Sequence, residues 1–447
     1  MKIPLFGRVA LPLWFLLLSL CFGAATPAQR AEATYAITHA KIFTLAGSTI
    51  DDGTLVIKQG KIAAVGANAE VPAGAEVIDG KGLQVYPGLF DAVTQMGLSE
   101  ISAVGATVDS SETGNFNPDV VAATAVLPSS EHIPVTRAAG ITEVLAVPAS
   151  GGFDSSGGRG IIGGQASALS LAGWTMEEMQ IKRSVAMVLN WPTIQTRSFD
   201  FSTFTRKERP YSEAKQEYDK QVSELSDWID RARHYAQATG HGGPSDFERD
   251  VKLEALAPVV RGQLPLLVFA DRARDIRNAV EFCDKQKLKM ILAGGEQAYK
   301  VKELLRSKGV PVILRPMLSL PPEEDDPYDS LLTQPAQLAE AGVKFAIGSF
   351  DNSFARRLGQ NAANAVAHGL AYEQALKAVT LYPAQIFGLA DQVGTLETGK
   401  IANVIVTNGD PLELTTDVKY LFIRGQLTST DNKQKRLYEK YLNRPKP

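Results

Sequence analysis

Two cysteines and five histidines in 447 residues are few for a chain of this length, and each scarcity excludes chemistry. Cys21 lies in an N-terminal apolar stretch that reads as removable, which leaves Cys283 without a partner. No intramolecular disulfide, cysteine-held zinc or dithiol couple is then available. Cys283 follows the apolar-periodic Ile276–Phe282 stretch and reads as a packing residue rather than a nucleophile. A net charge of -3 with interspersed signs, and no Lys/Arg stripe with aromatics, argues against nucleic-acid binding. Long apolar runs are missing beyond the first residues. There, Lys2 and Arg8 precede the apolar Val9–Ala25 stretch, which is followed by small and polar residues. The pattern predicts a secretory signal over residues 1–28 and an exported protein, periplasmic or secreted. An uncleaved anchor is the alternative, though Pro12 and the short run disfavour a spanning helix. No other membrane association is expected.

What is present is ordinary for a folded protein: 45% hydrophobic and 21% charged residues. The length exceeds one small domain at about 150 residues per domain. From Tyr35 to Val85, short apolar–polar alternations are broken by Gln59-Gly60, Ala73-Gly74 and Asp79-Gly80, the texture of hairpin strands. The same texture returns after Gly394, so residues 34–85 and 394–430 are expected to share one small β-sandwich. Between them, residues 86–393 alternate apolar runs with amphipathic helical stretches, as in a parallel sheet covered by helices. Seven strands are readable: Leu89–Ala92, Thr142–Val147, Val185–Leu189, Leu266–Ala270, Met290–Ala293, Val310–Leu314 and Lys344–Ile347. An eighth near Ala166–Leu171 would complete a (β/α)8 TIM-like barrel, with an open doubly wound sheet as the runner-up. Residues 196–250 read as a helical insertion, Gly151–Gly164 as a mobile loop over the working face, and 431–447 as a C-terminal tail helix.

The stretch Pro87-Gly88-Leu89-Phe90-Asp91-Ala92-Val93-Thr94-Gln95 resembles the first barrel strand of the amidohydrolase superfamily, whose pattern is Pro-Gly-Leu-Ile-Asp-x-His-x-His. The likeness continues at Leu266–Arg272 and Met290–Tyr299, and is fullest in Glu373-Gln374-Ala375-Leu376-Lys377-Ala378-Val379-Thr380-Leu381-Tyr382-Pro383-Ala384 and Gly394–Asn403. It implies a barrel with a companion sheet from both chain ends, close to imidazolonepropionase-like and prolidase-like metal-dependent hydrolases. These act on carbon–nitrogen, non-peptide bonds through a metal-bound hydroxide and a carboxylate that moves the proton.

The resemblance also locates what this chain lacks. The positions of the ligand histidines hold Val93, Gln95, Phe269 and Ala293, or Gly294 in place of Ala293 by a shifted alignment. Valine, phenylalanine and alanine have no donor atom, and glutamine offers only a neutral amide oxygen. The bridging lysine expected on the fourth strand is missing from Val185–Leu189, with Lys182 before it. His39, His132, His234, His241 and His368 all fall away from strand ends and read as structural or surface residues.

Asp351 in Gly348-Ser349-Phe350-Asp351 is the candidate catalytic carboxylate, one position later than the family's aspartate. Asp91, Asp271 and Glu296 are possible residual carboxylates beside it. Together these could hold Mg²⁺, Ca²⁺ or Mn²⁺ through oxygen. Asp271 also suits a helix cap and Glu296 a helix N-terminus. The leading expectation is an exported pseudoenzyme without a cofactor, binding a small organic ligand in a more apolar pocket or serving as an accessory protein. The alternative is an atypical hydrolase of small or cyclic amides using Asp351, with or without an oxygen-held divalent metal. A purely structural role would rest on the 196–250 segment.

Overall fold

The computed structural model describes residues 33–148, 160–200, 205–240 and 249–445. The expected signal, including Cys21, and most of the glycine-rich loop lie outside them, as does His241.

In chain order, β1 (Tyr35–Ile42), β2 (Ile50–Lys58), β3 (Lys61–Gly66), β4 (Glu76–Asp79) and β5 (Gln84–Pro87) come first. The barrel strands β6 (Leu89–Thr94), β7 (Ile141–Ala146), β8 (Ile162–Ser170) and β9 (Gln180–Asn190) follow. A short hairpin of β10 (Arg197–Asp200) and β11 (Thr205–Glu208) precedes β12 (Leu266–Ala270), β13 (Met290–Gly294), β14 (Val312–Leu314) and β15 (Phe345–Ile347). The chain ends with β16 (Val404–Thr407), β17 (Val418–Ile423), β18 (Gln426–Thr428) and a helix at Lys433–Leu442.

The eight barrel strands are neighbours in chain order from β6 to β15, which excludes a doubly wound sheet. The circle nearly closes where the Phe350 N–H, just past β15, donates to the Val93 carbonyl at 2.8 Å. All eight expected strands are present, but β8 runs antiparallel to both β7 and β9. The reason is local. A parallel return needs a crossover of a dozen or more residues, usually a helix. Only residues 171–179, with the short helix Met176–Met179, lie between β8 and β9, too few for a parallel return. Gly163 and Gly164 are thus strand residues, contrary to the loop expected through Gly164.

The near-continuous apolar runs of β12 to β15 are explained by two covered faces. Leu267, Phe269, Ile291, Ala293, Ile313 and Ala346, at alternate positions, cluster with Val93, Leu145 and Val147 inside the barrel. The intervening Val268, Leu292, Val312 and Phe345 pack with helix residues such as Ile276, Leu305 and Leu338. The 196–250 segment departs from a simple insertion. Its helix, Tyr211–Gly240, buries Leu225, Ile229 and Ala232 in that same outer core, so it serves as a covering helix of the barrel.

Both chain ends form one eight-stranded sheet in which β16 pairs antiparallel with β5. The sheet curls until the β2–β3 and β17–β18 turns touch: a Cβ on Gly425 would stand 2.5 Å from the Gly60 Cα. It is tied to the barrel at Gly88, whose N–H donates to the Asn403 carbonyl at 3.0 Å. Beneath lies a buried polar group, in which Asn403 Nδ2 donates to Glu143 Oε1 at 2.5 Å. Burial pushes the Glu143 carboxyl up to about 7. No helix among the described residues is long and apolar enough to cross a membrane.

Candidate functional site

In a barrel the working face is built where parallel strands end. Here Phe269 near the end of β12 and Ala293 near the end of β13 meet Val93 of β6 in the inner apolar cluster. Val93 and Ala293 are fully buried and Phe269 nearly so. Phe350 completes the cluster, its ring edge-on to Phe269 at 6.0 Å between centroids. Phe350 reaches there from a left-handed backbone at φ 53°, a conformation that costs a non-glycine residue about 1 kcal/mol or more. Above it the Arg315 guanidinium, just past β14, stacks on the ring at 4.5 Å. Three of the four positions that the family resemblance assigns to histidine are therefore occupied by packed apolar side chains. Gln95, the fourth, lines an open cavity of about 1640 Å³ at the mouth.

The carboxylates do not gather. Asp91 is fully buried at the seam between β6 and β15, where its Oδ1 accepts from the Ser349 N–H at 2.8 Å. Its Oδ2 lies 2.5 Å from Ser349 Oγ. Desolvation pushes its pKa up to about 7, against the opposing pull of the Ser349 hydrogen bonds. Ser349 Oγ, which donates to Asp91 Oδ2, also lies 2.7 Å from the Asp351 carbonyl, so its one proton must serve two acceptors unless Asp91 is itself protonated. Thr94 Oγ1 donates to that same carbonyl at 2.6 Å. Asp91 thus clasps the barrel shut.

Asp351 lines the cavity, yet its Oδ1 accepts from the Phe354 N–H at 2.8 Å and caps the turn that follows. Asp271 is neither a helix cap nor a free ligand. Its Oδ1 stands 3.3 Å from Arg315 Nε, while Arg272 pairs with Glu323 at 3.0 Å. The next helix is capped instead by Gln297, whose Oε1 accepts from the Ala273 N–H at 2.9 Å. Glu296 faces the cavity, and burial with the nearby Asp271 charge raises its pKa, opposed by Arg315 and Arg272. Among the described residues no three His, Cys, Asp or Glu side chains stand together as a metal site. The donors present at the mouth do not fit the metal that the family resemblance implies, because Asp91 is engaged by Ser349, Asp271 by Arg315 and Asp351 by the Phe354 N–H, while Val93, Phe269 and Ala293 stand at the imidazole positions.

The described histidines keep to the surface or to turns. His39 pairs with Asp79 at 3.4 Å, with both side chains exposed. His132 Nε2 is 2.9 Å from the Glu100 carbonyl, and His368 Nδ1 is 2.8 Å from the Asn364 carbonyl. His234 is exposed on the long helix. Lys182 is an exposed residue of β9, lining a smaller cavity with Pro265 and Lys289 at the strand starts. Cys283 is buried, its thiol pushed up to about 12, as suits a packing residue. Arg315, Ser349 and Phe350 were not singled out from the sequence. A search of strand ends for cations and aromatics, as well as carboxylates, would have reached them.

The amidohydrolase family model matches residues 275–429. Amidohydrolase tasK of Hapsidospora irregularis is 24% identical over 387 residues, covering 80% of this chain and 38% of that protein. The chain therefore spans well under half the length of this curated relative. A solved amidohydrolase from Thermotoga maritima superposes with a TM-score of 0.75 at 24% identity, covering 88% of this chain and 99% of the other. Molinate hydrolase superposes with a TM-score of 0.54 at 15% identity, covering 90% and 95% of the two chains.

Proposed function

We propose that this chain, an amidohydrolase-superfamily barrel by its fold and by the sequence pattern of residues 275–429, is an exported ligand-binding or accessory protein that works without a barrel-held metal. One observation carries the reading: Val93, Phe269 and Ala293 are packed with Phe350 in the space where the family resemblance places imidazoles. Inserting a cation there would strip its water without replacing it by donors, a cost of many kcal/mol. The cavity above is retained and polar enough to hold an organic molecule, with Gln95, Glu296, Arg315 and Asp351 on its walls.

A second reading, an atypical hydrolase of carbon–nitrogen bonds in small or cyclic amides, is supported by Asp351 and Glu296 facing one cavity. A glutamate with a raised pKa suits proton delivery to a leaving nitrogen. The two readings separate in one assay: turnover of a panel of small linear and cyclic amides by the mature protein, with Mg²⁺, Mn²⁺ or Zn²⁺ supplied in turn. The binding-protein reading expects no turnover above the Asp351→Ala variant. Turnover that the variant abolishes overturns it.

A further inference from the structure

We propose that the cavity takes an organic anion, its carboxylate or phosphate group gripped by Arg356 and Arg357 and its apolar part lying against Phe354 and Leu318. The proposal rests on reading the cavity as a ligand site, but not on the loss of hydrolysis.

Arg356 and Arg357 both stack on the Phe354 ring, with guanidinium carbons 5.4 and 4.5 Å from its centroid. Two cations on one ring repel each other, and exposure alone screens that repulsion only in part. The usual remedy is a carboxylate neighbour, yet neither arginine has an ion pair within 4.0 Å among the described residues, although many other basic side chains here do. Arg356 is held by a hydrogen bond to the Ser353 carbonyl, so part of its fork is fixed. Guanidinium forks match the planar oxygens of carboxylate or phosphate, and ordering on an aromatic ring lowers the entropy lost on binding.

The surroundings point the same way. Both arginines line the same 1640 Å³ cavity as Gln95, Glu296 and Asp351. The helix Leu358–Ala367 begins immediately after them, adding the positive end of its dipole. Asn361 and Asn364, one and two turns on from Arg357, line the same cavity and supply neutral donors. The charges that face it are Arg315, Arg356, Arg357 and Lys435 against Glu296, Asp351 and Glu413. Arg315 is already engaged by Asp271, and Asp351 caps the Phe354 N–H. Leu318 is 73% exposed and Phe354 48% exposed, and both line the same cavity, giving its wall apolar surface as well as cations. A cationic pair beside apolar surface recognises an amphipathic anion.

The test is calorimetric titration of the full-length mature protein with octanoate, octyl phosphate and the uncharged octanamide. At least one anion is expected to bind about tenfold or more tightly than the amide, with affinity falling as salt rises. The preferred anion identifies carboxylate or phosphate as the source. Arg356→Gln with Arg357→Gln should weaken anion binding about tenfold to a hundredfold and leave octanamide unchanged. The Arg356→Lys, Arg357→Lys pair, which keeps the charge but not the fork, should recover part of the loss. Equal binding of anion and amide, no binding of either anion, or full anion affinity in the glutamine variant overturns the proposal. Amide turnover would instead sink the binding-protein reading and leave this anion site standing.

Discussion

Replacing Asp91 by asparagine should change how stability depends on pH more than it changes stability itself. The carboxyl is pushed up to about 7 in the folded chain from its ordinary 3.8. An unfolded chain therefore releases this proton first as pH rises. Stability linked to Asp91 is fully present below about pH 4, declines through the interval up to about 7 and is flat above it. Three units of separation at 1.36 kcal/mol each amount to about 4 kcal/mol across that window. Asparagine keeps an acceptor for the Ser349 N–H but has no proton to lose. Urea unfolding midpoints, measured for both proteins from pH 4.5 to 8, give the difference profile directly. Lowered carboxyls such as Glu397 and Asp431 tilt both curves in the opposite sense and cancel in the difference. The variant should gain on the parent by up to about 4 kcal/mol as pH rises, with no further gain above about pH 7.5. Parallel profiles would show that Asp91 is ionised in the fold, and the neutral clasp at the barrel seam would be wrong.

Other perturbations test separate parts of the structure. Phe350→Ala removes the ring shared by Phe269 and Arg315 and should cost about 3 kcal/mol in urea unfolding. Phe350→Gly should be about 1 kcal/mol more stable than the alanine variant, because glycine accepts the left-handed backbone freely; the reverse order would remove the strain assigned to φ 53°. Gly425→Ala sets a Cβ 2.5 Å from the Gly60 backbone and should lower the urea-unfolding free energy by several kcal/mol. Gly309→Ala, also at positive φ but in open space, should cost only about 1 kcal/mol, and equal costs would refute the contact between the two turns.

Much of the barrel was legible because strands buried on two faces must be apolar at every position. Leu266–Ala270 and Met290–Ala293 read as strands for that reason. Strand direction was less legible, since it depends on what connects Ile162–Ser170 to its neighbours rather than on the strand's own residues. The long helix Tyr211–Gly240 showed its spacing of Tyr218, Leu225 and Ile229 in the sequence, but not that this face would join the barrel's outer core. At the site, the motif located Val93, Phe269 and Ala293, and the structure brings those three together. The carboxylates were visible as strand-end residues, whereas their partners were not. Asp91 meets Ser349 across 258 positions and Asp271 meets Arg315 across 44, and such pairings are set by barrel closure, which local patterns do not encode.

The most direct test of a mouth without a metal is anomalous diffraction from crystals of the protein grown with zinc or manganese and measured at the metal's absorption edge. No peak is expected among Val93, Gln95, Phe269 and Ala293, whose apolar members fill that space. A peak there, within about 2.5 Å of Asp91, Glu296 or Asp351 oxygens, would contradict it.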